Sequence, residues 1–461
     1  MTEIAELFDA RSGDNFALHE QFLNAQMVKV LKTIGYDRRY VRARGPYLYD
    51  ENGSEYLDLL SGFGVFALGR NHPAVVAALQ DVLAHEWPDL VQLDVSLLSG
   101  LLAERLLAHM PAGLSKMFFC NSGTEATEAA IKFARYATRR SKIVYCEHAF
   151  HGLSTGALSL NGERIFKEGF GPLLPDCSAV PFGDLAALEA ALHHGDVAAF
   201  IVEPIQGKGV NIPGDSYLPE AQRLCTRHGA LFVADEIQTG IGRTGKFWAI
   251  DHWNVEPDML LTAKALSGGF IPVGAVAMRK SVMEAVFNRM DRAVVHGSTF
   301  SKNNMAMAAG LATLRVIDEE KLVAHAANTG EQLLGALRAM ADRYEFVKEV
   351  RGRGLMIAIE FGAPKSLHLK AAWGLLETAN KGLFSQMIAI PLFKHHRILT
   401  QVAGHGINVI KLLPPLVIQD RDVTHIVTAF DATIADCHKV PGSVWELGKT
   451  LAGHALKTRA G

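Results

Sequence analysis

Three stretches of the chain carry residues whose types and spacing suit chemistry. In FFCNSGTEATEAAIKFARYATRR (118–140) a short apolar run meets Asn121-Ser122-Gly123-Thr124. A helical pattern follows, with Ala126, Ala129, Ala130, Phe133 and Ala134 on one side. Ser122 or Thr124 suits the N-cap, and Gly123 lets a ligand approach backbone N–H groups that favour an anion. Taken alone, this stretch is better explained by an ordinary capped helix. In ALFVADEIQTGIGRTGKFWAID (230–251) an apolar strand ends in Asp235-Glu236-Ile237-Gln238, and a carboxylate buried there calls for a cationic partner. In DMLLTAKALSGGFIPVGAV (258–276) Lys264 closes an apolar run. Desolvation at such a position lowers an amine's pKa and makes it nucleophilic, although an isolated lysine more often snorkels to water. The three together supply an anion cradle, a buried carboxylate and a desolvated lysine. Pyridoxal phosphate (PLP) needs each of them, for its phosphate, its ring nitrogen and its Schiff base.

The elements that must position these residues are short apolar runs alternating with amphipathic helical patterns. KIVYC (142–146), AAFIVEP (198–204), ALFVAD (230–235), DMLLTAK (258–264) and GAVAM (274–278) read as buried strands. They predict an α/β fold with a doubly wound, mostly parallel sheet, whose ligands bind beyond the carboxyl ends of the strands. Residues 70–330 are expected to form the large cofactor-binding domain. Residues 1–69 and 331–461 are expected to form a smaller α+β domain. Within the latter, 40–62 reads as a hairpin turned at Glu51-Asn52-Gly53, 328–345 as a long helix, and VKEVRGRGLMIAIEF (347–361) as one strand with a glycine-softened start. A helix, short strands near 397–413 and a final helix after Pro414-Pro415 complete it.

Composition excludes several classes. Of 461 residues 49% are hydrophobic and 20% charged, which is globular rather than disordered. Lys+Arg (46) nearly balances Asp+Glu (48), so no field draws nucleic acid or anionic membrane. No run of about 18 apolar residues suggests a membrane span. Five scattered cysteines without a C-x-x-C pair, and an acidic N-terminus without a signal-peptide pattern, make a reducing, cytoplasmic setting the expectation. His148 and His151 lie three apart, but no Cys, Asp or Glu set completes a site, so no metal is expected. Gly240–Lys246 matches the phosphate-loop spacing G-x-x-x-x-G-K. Phe247 stands where the Mg²⁺-holding Ser or Thr belongs, so a nucleotide site is rejected.

The order and spacing of the motifs resemble the class III (ω-amino acid type) aminotransferases of fold-type I PLP enzymes. That group contains ornithine, acetylornithine and 4-aminobutyrate aminotransferases, and the resemblance runs from about residue 40 to 435. It implies that Ser122, Gly123 and Thr124 hold the phosphate and that Phe150 of HAFHG (148–152) stacks on the cofactor ring beside His151. It further implies Asp235 on the pyridine nitrogen, Ile237 against the ring and Gln238 near the phenolic oxygen. Lys264, 29 residues after Asp235, becomes the Schiff-base and proton-shuttling lysine. Glu203 and Gln206 of VEPIQG fall in supporting positions. Thr299 of HGSTFSKNNMA (296–306) is expected to reach the neighbouring subunit's phosphate, which implies a homodimer. The implied reaction moves an amino group from an amine donor to a keto-acid acceptor. Aminomutase, epimerase and decarboxylase members share the motifs and remain the alternative.

The chain departs from that pattern where substrates are gripped. Leu153 stands in place of the arginine of F-H-G-R-T, Lys208 in place of the glutamate of Q-G-E, and Lys411 in place of the arginine before Pro414-Pro415. Leucine cannot supply the paired hydrogen bonds by which a guanidinium binds carboxylate. Phe63 and Phe66 in SGFGVFALG (61–69) add apolar surface near the entrance. An amine or amino acid with an apolar chain is therefore the expected donor and pyruvate the expected acceptor, with Lys411 or Lys208 as candidates for its carboxylate.

Overall fold

The computed structural model describes residues 3–439, 442, 445–449 and 451–452. The outermost residues of the expected smaller domain, 1–2 and 453–461, lie outside the described residues. Seven strands form the central sheet: β1 (Leu114–Cys120), β2 (Lys142–Cys146), β3 (Cys177–Val180), β4 (Val197–Val202), β5 (Leu231–Asp235), β6 (Met259–Thr262) and β7 (Gly274–Arg279). Their order is β1-β7-β6-β5-β4-β2-β3. The pairs β2–β3, β2–β4, β4–β5 and β5–β6 are parallel, and β7 runs antiparallel to both β6 and β1. The five apolar runs are all strands because both faces of this sheet are covered, as the fully buried β4 and β6 show. The four-residue edge strand β3 carries no continuous apolar run, and only Val180 of it is buried.

Two further four-stranded sheets flank this core. The first joins Tyr40–Arg44, Tyr47–Asp50 and Glu55–Asp58 to Ile398–Leu399, which pairs in parallel with Glu55–Asp58. The turn at 51–53 forms as read, held by Asp50 Oδ1 accepting from Asn52 N (3.0 Å) and Ser54 N (2.9 Å). In the second sheet VKEVRGRGLMIAIEF is two strands rather than one. Val347–Arg353 and Met356–Phe361 pair antiparallel about Gly354, which adopts φ 51°. A Cβ on Gly354 would lie 2.4 Å from the Thr244 carbonyl carbon, so this turn needs glycine on steric grounds as well.

Thr244 belongs to the loop with the phosphate-loop spacing, and that loop is structural. Arg243 within it is fully buried and donates to the carbonyls of Leu355 (3.1 Å) and Pro414. The long helix spans Leu322–Ala341, earlier than the expected 328–345. Two helices, Leu367–Ala379 and Leu383–His396, precede the short strands where one was expected. No helix among the described residues is long and apolar enough to cross a membrane.

Candidate active site

The carboxyl ends of β5 and β6 and the start of the Gly123–Thr138 helix lie close together: Gly123 packs on Ile237, and Asp235 acts on the charge of Lys264. Ser122 caps that helix, its hydroxyl accepting from Glu125 N at 3.3 Å, and the helix buries Ala126, Ala129, Ala130, Phe133 and Ala134 as its pattern predicts. Asn121 Nδ2 donates to Ser298 Oγ (2.7 Å), bringing the 296–301 segment beside the loop. A Cβ on Gly123 would meet Ile237 at 3.0 Å, so glycine here lets Ile237 close on the loop.

Asp235 ends β5 and is buried. Its Oδ1 accepts from Ile237 N (3.0 Å) and its Oδ2 from His151 Nδ1 (2.6 Å). A carboxylate oxygen can only accept, so Nδ1 carries the proton of that bond. Burial pulls the proton affinity of His151 down, but the hydrogen bond and charge of Asp235, with Glu203 behind them, leave it raised overall. His151 Nε2 is buried without a partner among the described residues. Thr127 Oγ1 donates to the His151 carbonyl (2.8 Å), locking the segment to the helix.

Glu203 at the end of β4 accepts from Phe150 N (2.9 Å) and Gly207 N (2.7 Å), and burial raises its pKa. Gln206 Nε2 donates to the Glu147 carbonyl at 2.6 Å. Lys264 follows β6 with φ 39°, a left-handed backbone that costs a non-glycine residue about 1–3 kcal/mol and persists where surroundings enforce it. Its Nζ makes no hydrogen bond among the described residues. Burial lowers its pKa, partly offset by Asp235 and Glu203.

This donor set fits pyridoxal phosphate. A helix N-terminus with small residues could take the phosphate, a buried carboxylate fixed by His151 the ring N–H, and a lysine nitrogen without a partner among the described residues the aldehyde. Among the described residues no cluster of three or more His, Cys, Asp or Glu could hold a metal ion. His148 points elsewhere, pairing with Glu163 at 3.1 Å.

The description Aminotransferase class-III matches residues 31–434 of the chain. The chain belongs to the class III aminotransferases. Aminotransferase PigE of Serratia sp. (strain ATCC 39006) is 35% identical over 460 residues, covering 93% of this chain and 54% of that protein. The chain thus spans about half the length of that curated relative. Among solved structures, ornithine aminotransferase from Toxoplasma gondii aligns with a TM-score of 0.82 at 31% identity, covering 95% of this chain and all of that one. An amine transaminase from an uncultivated Pseudomonas species, solved with PLP, aligns with a TM-score of 0.75 at 29% identity over 86% and 94% of the two chains. The fold is that of the fold-type I PLP transaminases, and pyridoxal phosphate is the class III cofactor.

The other expected residues of this class III aminotransferase are placed less uniformly. Gln238 Nε2 donates to the Phe63 carbonyl (3.0 Å), which brings the 61–64 turn to the site while the Phe63 ring is 55% exposed. The Phe66 ring is stacked by Arg70, whose guanidinium carbon lies 4.0 Å from its centroid. Leu153 is 54% exposed, next to the Thr124–Ser154 hydroxyl pair at 2.6 Å. Thr299 is exposed and makes no hydrogen bond among the described residues. Lys411 is buried, whereas Lys208 is half-buried over Phe166 and Phe150, at 4.5 and 5.6 Å.

Sequence reasoning missed Glu128. Its Oε1 accepts from Ser154 Oγ (2.6 Å), Gly156 N (2.8 Å) and Ala157 N (3.1 Å), and so shapes the turn that carries Leu153. A glutamate one turn into a helix gives no local signal of such a partner.

Proposed function

We propose that this chain moves an amino group from a primary amine or amino acid with an apolar chain to a small keto acid such as pyruvate, with Lys264 as the cofactor's lysine. Bound pyridoxal phosphate supplies an electron sink for the bond broken beside the amine. The protein supplies the rest. Asp235, oriented by His151, sets a negative charge for the ring nitrogen. Lys264 Nζ, with its lowered proton affinity, takes a proton from the donor carbon and returns it at the neighbouring position. Glu203 orders the Phe150 backbone and, through Gly207, the loop beside Gln238.

The observation that carries the reaction is the buried Lys264 nitrogen, without a hydrogen-bond partner among the described residues and within the field of Asp235, which His151 holds. The reading of the donor rests on Leu153, which offers no charge to a substrate carboxylate. Losing such a charged hydrogen bond costs about 1.5–3 kcal/mol, and each buried methylene returns about 0.8 kcal/mol, so two to four methylenes compensate. Ornithine, the substrate in the name of the Toxoplasma relative, is accordingly a poor donor here.

Homodimerisation is part of the proposal. Thr299 lies among Met290 (96% exposed), Val294 (83%) and Phe300 (64%), with Leu93 and Val95 also bare, an apolar expanse that a second copy would cover. The test is kcat/KM for a series of linear amines and amino acids with pyruvate, alongside sedimentation. Efficiency should rise with apolar chain length in a dimeric enzyme. Ornithine or 4-aminobutyrate outrunning every longer amine, or a fully active monomer, would count against it.

A further inference from the structure

Lys411 sits on the strand Val409–Leu412, opposite Ala358 on one side and Gln401 on the other. It is 5% exposed. Its Nζ has two acceptors, the Gly207 carbonyl at 2.7 Å and Gln238 Oε1 at 3.1 Å, and neither is charged. Each acceptor passes the contact on. Gln238 Nε2 donates to the Phe63 carbonyl, and Gly207 N donates to Glu203, whose other oxygen takes Phe150 N. One nitrogen thus ties the 61–64 turn, the 203–208 loop and the end of β5 together.

The charged groups facing Lys411 are Lys264, Glu203 and Lys208. Two are cations, and both oxygens of the one acid are already hydrogen-bonded to backbone N–H groups. Among the described residues an ammonium here would have a third N–H without an acceptor, and it would set a third cation against one acid already satisfied by backbone N–H groups, both costly when buried. A neutral amine has two N–H groups, matching the two acceptors.

We propose that Lys411 is a positioning residue that works as an uncharged amine, clamping Gly207 and Gln238 without placing a second positive charge beside Lys264. The inference rests on the assignment of Lys264 as the cofactor's lysine. Burial, and then Lys264 itself, bring the Lys411 pKa down to about 7, in the direction the geometry requires. An arginine at this position, always protonated, could hold the same acceptors only at the cost of that charge.

The holoenzyme's visible absorbance, titrated with pH, reads the protonation of the nitrogen joining Lys264 to the cofactor. At a midpoint above about pH 7, where Lys411 has lost its proton, wild type and Lys411→Gln, an uncharged donor, should coincide. Lys411→Arg should fall below them by on the order of one pH unit. Wild type titrating with Lys411→Arg, or all three coinciding, would overturn the inference. A wild type without a visible band would overturn the cofactor reading and this inference with it. A second measurement does not depend on the cofactor. A buried lysine with a lowered pKa makes the unfolded chain the better proton binder between about pH 7 and 10.4, so stability rises with pH across that window. The urea midpoint of the full chain without cofactor should therefore rise across it relative to Lys411→Gln. Parallel profiles would overturn the proposal even if the arginine variant failed to fold.

Discussion

His151 Nδ1 and Asp235 Oδ2 lie 2.6 Å apart, both side chains buried, although 84 residues separate them in the sequence. The bond fixes the aspartate's rotamer and keeps a donor on it where no water can serve. Asp235→Asn removes the charge and should lower kcat by about 10²–10³-fold, the range for loss of a preorganised electrostatic group. His151→Phe leaves the charge but frees it to reorient, and should cost about 10–100-fold, equivalent to one hydrogen bond to an ion. Steady-state kinetics of the two holoenzymes checks the order; a larger loss for His151→Phe would contradict it.

Lys264→Ala should retain pyridoxal phosphate, since the helix N-terminus, Phe150 and Asp235 remain, while single-turnover transfer is abolished. Absorbance of the dialysed variant measures retention, and wild-type turnover would refute the assignment.

Glu236, next to Asp235, is buried and accepts from Ile250 N (2.7 Å) and the Thr239 hydroxyl, and burial pushes its pKa up to about 7. The folded chain therefore holds this proton more tightly than the unfolded chain, whose glutamates titrate near about 4.3. The contribution to stability is complete below the unfolded value and is lost as pH rises through about 7. Glu236→Gln cannot ionise and should gain on wild type by up to about 3 kcal/mol between pH 4.5 and 7.5. Urea unfolding at the two pH values decides it, and an unchanged difference would refute it.

Arg243→Met should destabilise the fold by about 3 kcal/mol, because two buried carbonyls, of Leu355 and Pro414, lose their donor. Thermal unfolding reads this. Nucleotide affinity, if the loop were a phosphate site, would fall as well, and no such change is expected.

Leu153→Arg places a guanidinium on an exposed position, so folding should be unaffected. The ratio of kcat/KM for carboxylate-bearing donors over linear amines should rise by about tenfold or more, matching about 1.5 kcal/mol of charged hydrogen bonding. A ratio that stays put would show that Leu153 does not face the substrate.

The sequence alone pointed to the pyridoxal phosphate chemistry, and its resemblance to class III aminotransferases to amino transfer. Lys264, Asp235 and the Ser122–Thr124 turn each end a strand or begin a helix, and apolar runs, caps and glycines are local signals that survive without knowledge of what packs where. The same locality explains the misreadings. The 347–361 segment is a hairpin because Gly354 packs on Thr244, a contact across 110 residues that no window of the chain contains. Phe247 had already spoken against a phosphate loop, but only the tertiary structure decided that Arg243 holds two carbonyls. It also joined His151 to Asp235, and it put Lys411 out of water beside Lys264. Charge and hydrogen-bond need are written in residue type, but whether a lysine is solvated, paired or stripped of its proton depends on which strands close over it.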